Sequence, residues 1–149
     1  MKIGTLTTHM ADNYGAVLQA YALPTYLGAR AECEILNYYP DYLYRAYHKK
    51  MRITSPKALI NFAFQTMFSG QRTKRSRRFE AFRSQYMPLS PLYRTKAELA
   101  QASGAYDAIV AGSDQIWNPE IHGFDEAFFL TFCGEGVSKN GYAPSFGIS

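Results

Sequence analysis

Tyr106-Asp-Ala-Ile-Val-Ala-Gly-Ser-Asp-Gln-Ile-Trp-Asn-Pro119 is the stretch that decides the fold. The apolar run over Asp107 to Ala111 has the length of a buried strand. It breaks at Gly112 into Ser113, Asp114 and Gln115, ahead of Trp117. A strand that stops at glycine with polar groups crowded at its carboxyl end is how open α/β sheets build ligand sites. The amino end repeats the arrangement. Ile3 to Thr8 alternates as a strand, and His9-Met-Ala-Asp-Asn-Tyr-Gly-Ala16 then opens a helix. Two strand ends therefore converge on one candidate site. The fold class expected is α/β, a Rossmann-like open parallel sheet flanked by helices.

Outward from these strands, a helix is expected from about Gly15 to Leu27, with Val17, Leu18, Tyr21 and Ala22 on one face. Pro24 predicts a kink or an early end, because it lacks an amide hydrogen and its ring crowds the carbonyl four residues back. Glu34 to Tyr38 reads as the second strand, stopped by Tyr39-Pro40-Asp41 and joined to the first by a right-handed crossover. From Tyr42 to Gln101 the periodicity is helical. Ser55-Pro56 marks a helix start and Gly70 its terminator. The next helix, about Arg72 to Tyr86, puts Phe79, Phe82 and Tyr86 on one side and ends before Pro88. Thr95-Lys-Ala-Glu98 is a capping box for a short helix ahead of Gly104. Asn140 to Ala143 reads as a last strand, ending in Pro-Ser-Phe-Gly.

A length of 149 residues and a hydrophobic content of 47% suit a single globular domain with one sizeable core. There is no repeat or low-complexity tract, and no apolar run is long enough to span a bilayer. The first residues lose their apolar character at Thr5 to His9, unlike a signal peptide, so a cytoplasmic location is expected. Cys33 and Cys133 have no metal-site spacing and are expected to be free, buried and chemically quiet. The net charge is only +4, yet Arg72-Thr-Lys-Arg-Ser-Arg-Arg78 holds five of the sixteen Lys and Arg residues. Such a run suits phosphate groups or a solvated helix face, with long-range attraction for a lipid-linked or nucleotide-linked molecule and scope for peripheral membrane association. No nucleic-acid-binding motif accompanies it.

Several residues at the strand ends carry functional options beside structural ones. The turn Asp12-Asn13-Tyr14-Gly15 offers backbone amides and the positive end of a helix to an anion or a sugar hydroxyl, or else Asp12 or Asn13 caps the helix. Gly112, Ser113 and Gln115 can bond sugar hydroxyls. Asp114 is the first candidate for a catalytic acid or base, with a helix cap as its structural alternative. Trp117 either stacks on a sugar or packs in the core. His9 is a weaker proton-donor candidate, or an ordinary surface or capping histidine. His48 and His122 receive no role, and no two histidines have the spacing of a metal pair.

Three blocks, Asn13-Tyr-Gly-Ala-Val-Leu-Gln-Ala-Tyr-Ala-Leu23, Gly112-Ser-Asp-Gln-Ile-Trp-Asn-Pro119 and Gly141-Tyr-Ala-Pro-Ser-Phe-Gly147, resemble in order and spacing the polysaccharide pyruvyl transferase family. The resemblance implies transfer of a pyruvyl group from phosphoenolpyruvate onto two hydroxyls of a sugar as a cyclic ketal, with no cofactor and no metal. The acceptor would be an exopolysaccharide or cell-surface precursor. It implies the amino-terminal, acceptor-side half of a fold similar to two-domain B-type glycosyltransferases. Asn13, Tyr14, Gly15, Ser113, Asp114 and Gln115 would then line the acceptor cleft, and donor-binding cations would lie largely in a second domain. Family members continue for a comparable further length, so the carboxy-terminal domain is expected to be missing and the half alone to be inactive or weak. Self-association through an exposed docking surface follows as an expectation. Pro24 and Pro144 depart from the family pattern. A non-catalytic sugar- or nucleotide-binding Rossmann-like module, or an inactive fragment, is the alternative function.

Overall fold

The computed structural model describes residues 1–47 and 69–147. Five strands form one parallel sheet: β1 (Lys2–Leu6), β2 (Glu32–Tyr38), β3 (Leu89–Tyr93), β4 (Ala108–Asp114) and β5 (Ser138–Pro144). Their spatial order is β3-β2-β1-β4-β5, which is the Rossmann arrangement. The expected α/β class is what the chain adopts. β1 lies between β2 and β4, with Ile3 opposite Cys33 on one side and Ala108 on the other.

Central strands of such a sheet are covered on both faces, and successive side chains go to opposite cores. Ile35 joins a cluster with Val17, Ala20, Phe79 and Met87, whereas its neighbour Leu36 joins Leu6, Tyr106, Ile109 and Phe128 on the other face. Helices α1 (Tyr14–Gly28) and α3 (Ser69–Tyr86) supply Val17, Ala20 and Phe79 to the first core. The second takes Leu43 from α2 (Asp41–Tyr47), Leu99 from α4 (Lys96–Ser103), and Phe128 from a 3-10 turn at Glu126–Phe129 that follows α5 (Pro119–His122). The outer strand β5 remains largely exposed.

Four local expectations are corrected. Helix α1 runs through Pro24 to Gly28. Pro24 is fully buried, so the packing of its ring offsets the lost amide bond, and the Thr25 hydroxyl donates to the Tyr21 carbonyl one turn back. Gly70 lies in the first turn of α3 and does not end a helix; the helix expected to start at Ser55-Pro56 lies outside the described residues. Leu89–Tyr93, read as part of a helical region, is strand β3. Its Pro91 is tolerated because β3 is an edge strand, where a missing donor leaves no ladder bond broken, and the register with β2 shifts between Ile35 and Asn37. Phe79, Phe82 and Tyr86 do share one side of α3, with the Tyr86 ring 5.0 Å from that of Phe82, while Cys33, expected to be buried, is only half-buried. Burial, with Glu34 nearby, pushes the Cys33 thiol up to about 11, which keeps it protonated and unreactive. The capping box at Thr95 forms as expected, with the Thr95 hydroxyl accepting from the Glu98 amide and the Glu98 carboxylate accepting from the Thr95 amide.

Candidate functional site

β1 and β4 are adjacent in space and their following segments leave in different directions, so a crevice opens at their carboxyl ends. A cavity of about 500 Å³ occupies that crevice. Thr8 follows β1, Asn13 and Gly15 form the entry to α1, and Ser113, Asp114 and Gln115 end β4; all of them line it. The two blocks singled out in the sequence thus meet at one place.

Backbone and side-chain bonds fix this crevice. Asn13 Oδ1 accepts from the amides of Gly15 at 2.8 Å and Ala16 at 3.3 Å, so the capping alternative is realised for Asn13. Asp12 does not cap; its Oδ1 accepts from both Nη atoms of Arg83, at 3.2 and 3.3 Å, and its carbonyl accepts from Arg75. A chain of side chains ties three elements together. The Ser113 hydroxyl donates to Gln19 Oε1 at 2.7 Å, and Gln19 Nε2 donates to the Thr7 hydroxyl at 3.3 Å. Gln19 sits one turn after Gly15 on the same helix face and also lines the cavity. That i, i+4 relation was the sequence signal for it.

Asp114 stands at the head of the cavity with a φ of 139°, a conformation uncommon for a residue with a side chain. Its Oδ1 accepts from the Gln115 amide, and no helix begins there, so the helix-cap alternative falls to Asn118, which caps α5. The third sequence block lies alongside. Pro144 is paired with Asp114 in the ladder, and the amide of the next residue, Ser145, donates to the Asp114 carbonyl at 2.9 Å. Ser145 therefore supplies the donor that Pro144 lacks.

Tyr47 and His122 also line the cavity, and neither carried an assignment from the sequence. Tyr47 of α2 has its hydroxyl pKa raised by burial and by the Asp114 carboxylate. His122 is only 4% exposed; its Nε2 lies 3.2 Å from the Thr8 hydroxyl, and its Nδ1 is buried without a hydrogen-bond partner. Burial lowers its pKa, opposed by Asp125 and Asp114, so the ring is neutral. Asp125 holds this region together. Its Oδ2 accepts from the hydroxyls of Tyr38 and Tyr42, both at 2.9 Å, which ties α2 to the segment carrying His122.

The remaining candidates lie elsewhere. His9 is a buried residue and not a surface one, at 1% exposure, with Nδ1 3.2 Å from the Thr7 carbonyl oxygen and Nε2 3.0 Å from Asn37 Oδ1. Burial lowers its pKa, and both nitrogens are engaged away from the cavity. Tyr14 turns towards α3, its ring 4.8 Å from Phe79. Trp117 takes its packing alternative, stacked on Phe129 at 5.4 Å with Nε1 donating to the Phe128 carbonyl. Gly112 serves the sheet: at its φ of +127°, a Cβ would collide with the Tyr142 carbonyl oxygen.

Among the described residues, no Lys or Arg lines the cavity, and Asp114 is its one formal charge. Hydroxyls, amides, one carboxylate and a neutral imidazole suit a polyhydroxylated neutral ligand, and the carboxylate can accept a hydroxyl proton. Comparison with protein-family models, with curated proteins and with solved structures returns no match.

Proposed function

We propose that this protein acts in pyruvyl transfer, from phosphoenolpyruvate to a sugar of a cell-surface or exopolysaccharide precursor, and that the cavity at the ends of β1 and β4 receives the acceptor sugar. The observation that carries this reading is the convergence of Asn13, Gly15, Ser113, Asp114 and Gln115 on one polar cavity, with the third sequence block bonded to Asp114. On this reading the sheet is the acceptor-side half of a B-type, two-domain architecture, working in the cytoplasm.

The reaction joins carbon 2 of the enolpyruvyl group to two sugar hydroxyls. One hydroxyl adds to that carbon as a proton goes to the methylene, the bond to the phosphate oxygen breaks, and the second hydroxyl closes the ketal. Of the two hydroxyl protons, one balances the new methyl group and the other leaves with phosphate. Asp114 accepts a proton from the attacking hydroxyl, while Ser113, held by Gln19, and Gln115 orient the sugar. The phosphate and carboxylate of the donor need cations. Among the described residues none lines the cavity, so on this reading the groups that hold the donor lie beyond that lining.

That absence of cations favours a second reading, a sugar-binding module without transfer activity. Phosphate release from phosphoenolpyruvate, followed across lipid-linked and nucleotide-linked sugars, separates the two. Sugar-dependent release that disappears in Asp114→Ala supports transfer. Saturable sugar binding with no release supports the module.

A further inference from the structure

The basic run that this chemistry leaves unused lies on α3, whose sequence carries six cations and a single carboxylate, Glu80. Lys74, Arg75, Arg77 and Arg78 are all exposed. Arg75 is engaged, donating to the Asp12 carbonyl at 2.6 Å and lying over the Tyr14 ring at 5.8 Å. No ion pair among the described residues holds Lys74, Arg77 or Arg78. This charge is therefore unspent within the fold.

Beside it runs a groove of about 190 Å³ between α1 and α3, lined by Tyr14, Leu18, Phe79 and Phe82 together with Arg75 and Arg78. Its rim is apolar and open to solvent: Tyr14 is 68% and Leu18 55% exposed. Steps of four residues along α1 carry the same stripe through Ala22 to Tyr26, which is 64% exposed. A solvated helix face would not need these side chains, because exposed tyrosine and leucine in a row lose free energy to water.

Uncompensated cations beside exposed tyrosine and leucine are the combination that an anionic bilayer accepts. Headgroup phosphates meet the guanidinium and ammonium groups, and the apolar side chains enter the interfacial layer. A nucleic acid would engage the cations but leave Leu18 and Tyr26 in water. We infer that the α1–α3 face docks this protein on the surface of an anionic membrane, through Lys74, Arg77 and Arg78 on the phosphates and Tyr14, Leu18 and Tyr26 in the interface. This docking is independent of the transfer chemistry and would hold for a sugar-binding module as well.

Co-sedimentation of the full chain with vesicles tests it, using phosphatidylcholine alone and phosphatidylcholine mixed with phosphatidylglycerol, at low and high salt. Binding is expected to the mixed vesicles only, weakening with salt. Replacing Lys74, Arg77 and Arg78 together by Gln should lower partitioning roughly a hundredfold. Leu18→Ser should lower it severalfold without changing the salt dependence. Thermal melts matching the parent would show that both variants fold. Failure to pellet with anionic vesicles at low salt would overturn the docking, as would unchanged binding by the triple variant. A Leu18→Ser variant that binds normally, with tighter binding to an RNA duplex than to vesicles, would assign the face to nucleic acid and overturn it too.

Discussion

The two ends of the parallel sheet draw on the same kinds of residue and put them to opposite use. At the amino end, the Glu34 carboxylate accepts from the Tyr106 hydroxyl at 2.7 Å and pairs with Lys2 Nζ at 2.8 Å, while the Lys2 amide donates to Asp107 at 2.6 Å. Each of these groups has a protein partner. At the carboxyl end, the Asp114 carboxylate bonds, among the described residues, only the amide next to it, and a cavity of about 500 Å³ stands open beside it. Polar groups satisfied by one another hold the sheet together. Polar groups left facing a crevice are available to a ligand.

The largest effect on folding should come where the carboxyl end is most tightly built. Gly112→Ala places a Cβ against the Tyr142 carbonyl at a φ that L-residues rarely adopt, so β4 and β5 must separate. A loss of about 3 kcal/mol or more is expected in chemical denaturation. A near-neutral result would mean that β5 is free to shift and that Ser145 does not fix Asp114. Next in size, Gln19→Ala removes the link between Ser113 and Thr7. On the proposed function it should lower kcat/KM between about ten- and a hundredfold through misplacement of the Ser113 hydroxyl, at a stability cost of about 1 to 2 kcal/mol.

At the other end of the sheet, Tyr106→Phe deletes one hydrogen bond to a carboxylate and should cost about 1.5 kcal/mol of stability. Transfer activity should be untouched. An equal loss of activity would erase the division between the two ends.

How far this division was legible in the sequence varied with the kind of signal. The strand-end blocks were readable because a short apolar run that stops at Gly112 and turns polar at once is the pattern of a buried strand reaching the sheet edge. The edge strand β3 was not, because it falls in a stretch whose periodicity reads as helical and a proline within it speaks against a strand; only its place at the sheet margin makes Pro91 acceptable there. His122 also gave no signal: a histidine before a glycine is ordinary, and it is the bonding of Asp125 to Tyr38 and Tyr42, more than 80 residues away in the chain, that accompanies its placement in the crevice. Tyr14 and Trp117 belonged to the right blocks, yet neither faces the cavity, since neighbouring residues on a turn or helix point to different sides.

The smallest effect is one of pH. His9 and His122 both have pKa values lowered by burial below the ordinary 6.5. In the unfolded chain they take up protons as pH falls through that value, while in the folded chain they do not, so the stability they allow is present above about pH 6.5 and declines below it. A melting temperature that drops as pH goes from 7 towards 5, with a shallower slope in His9→Asn, is expected. A slope unchanged in that variant would place the proton uptake elsewhere.

Asp114→Asn offers the most direct test, measured as sugar-dependent phosphate release from phosphoenolpyruvate beside the parent and Tyr106→Phe. If Asp114 takes the hydroxyl proton, its variant should fall by roughly a factor of 100 to 10,000 with an unchanged melting temperature, while Tyr106→Phe keeps full turnover. Turnover that survives in Asp114→Asn would contradict the assignment of the carboxyl-end cavity as the site of transfer.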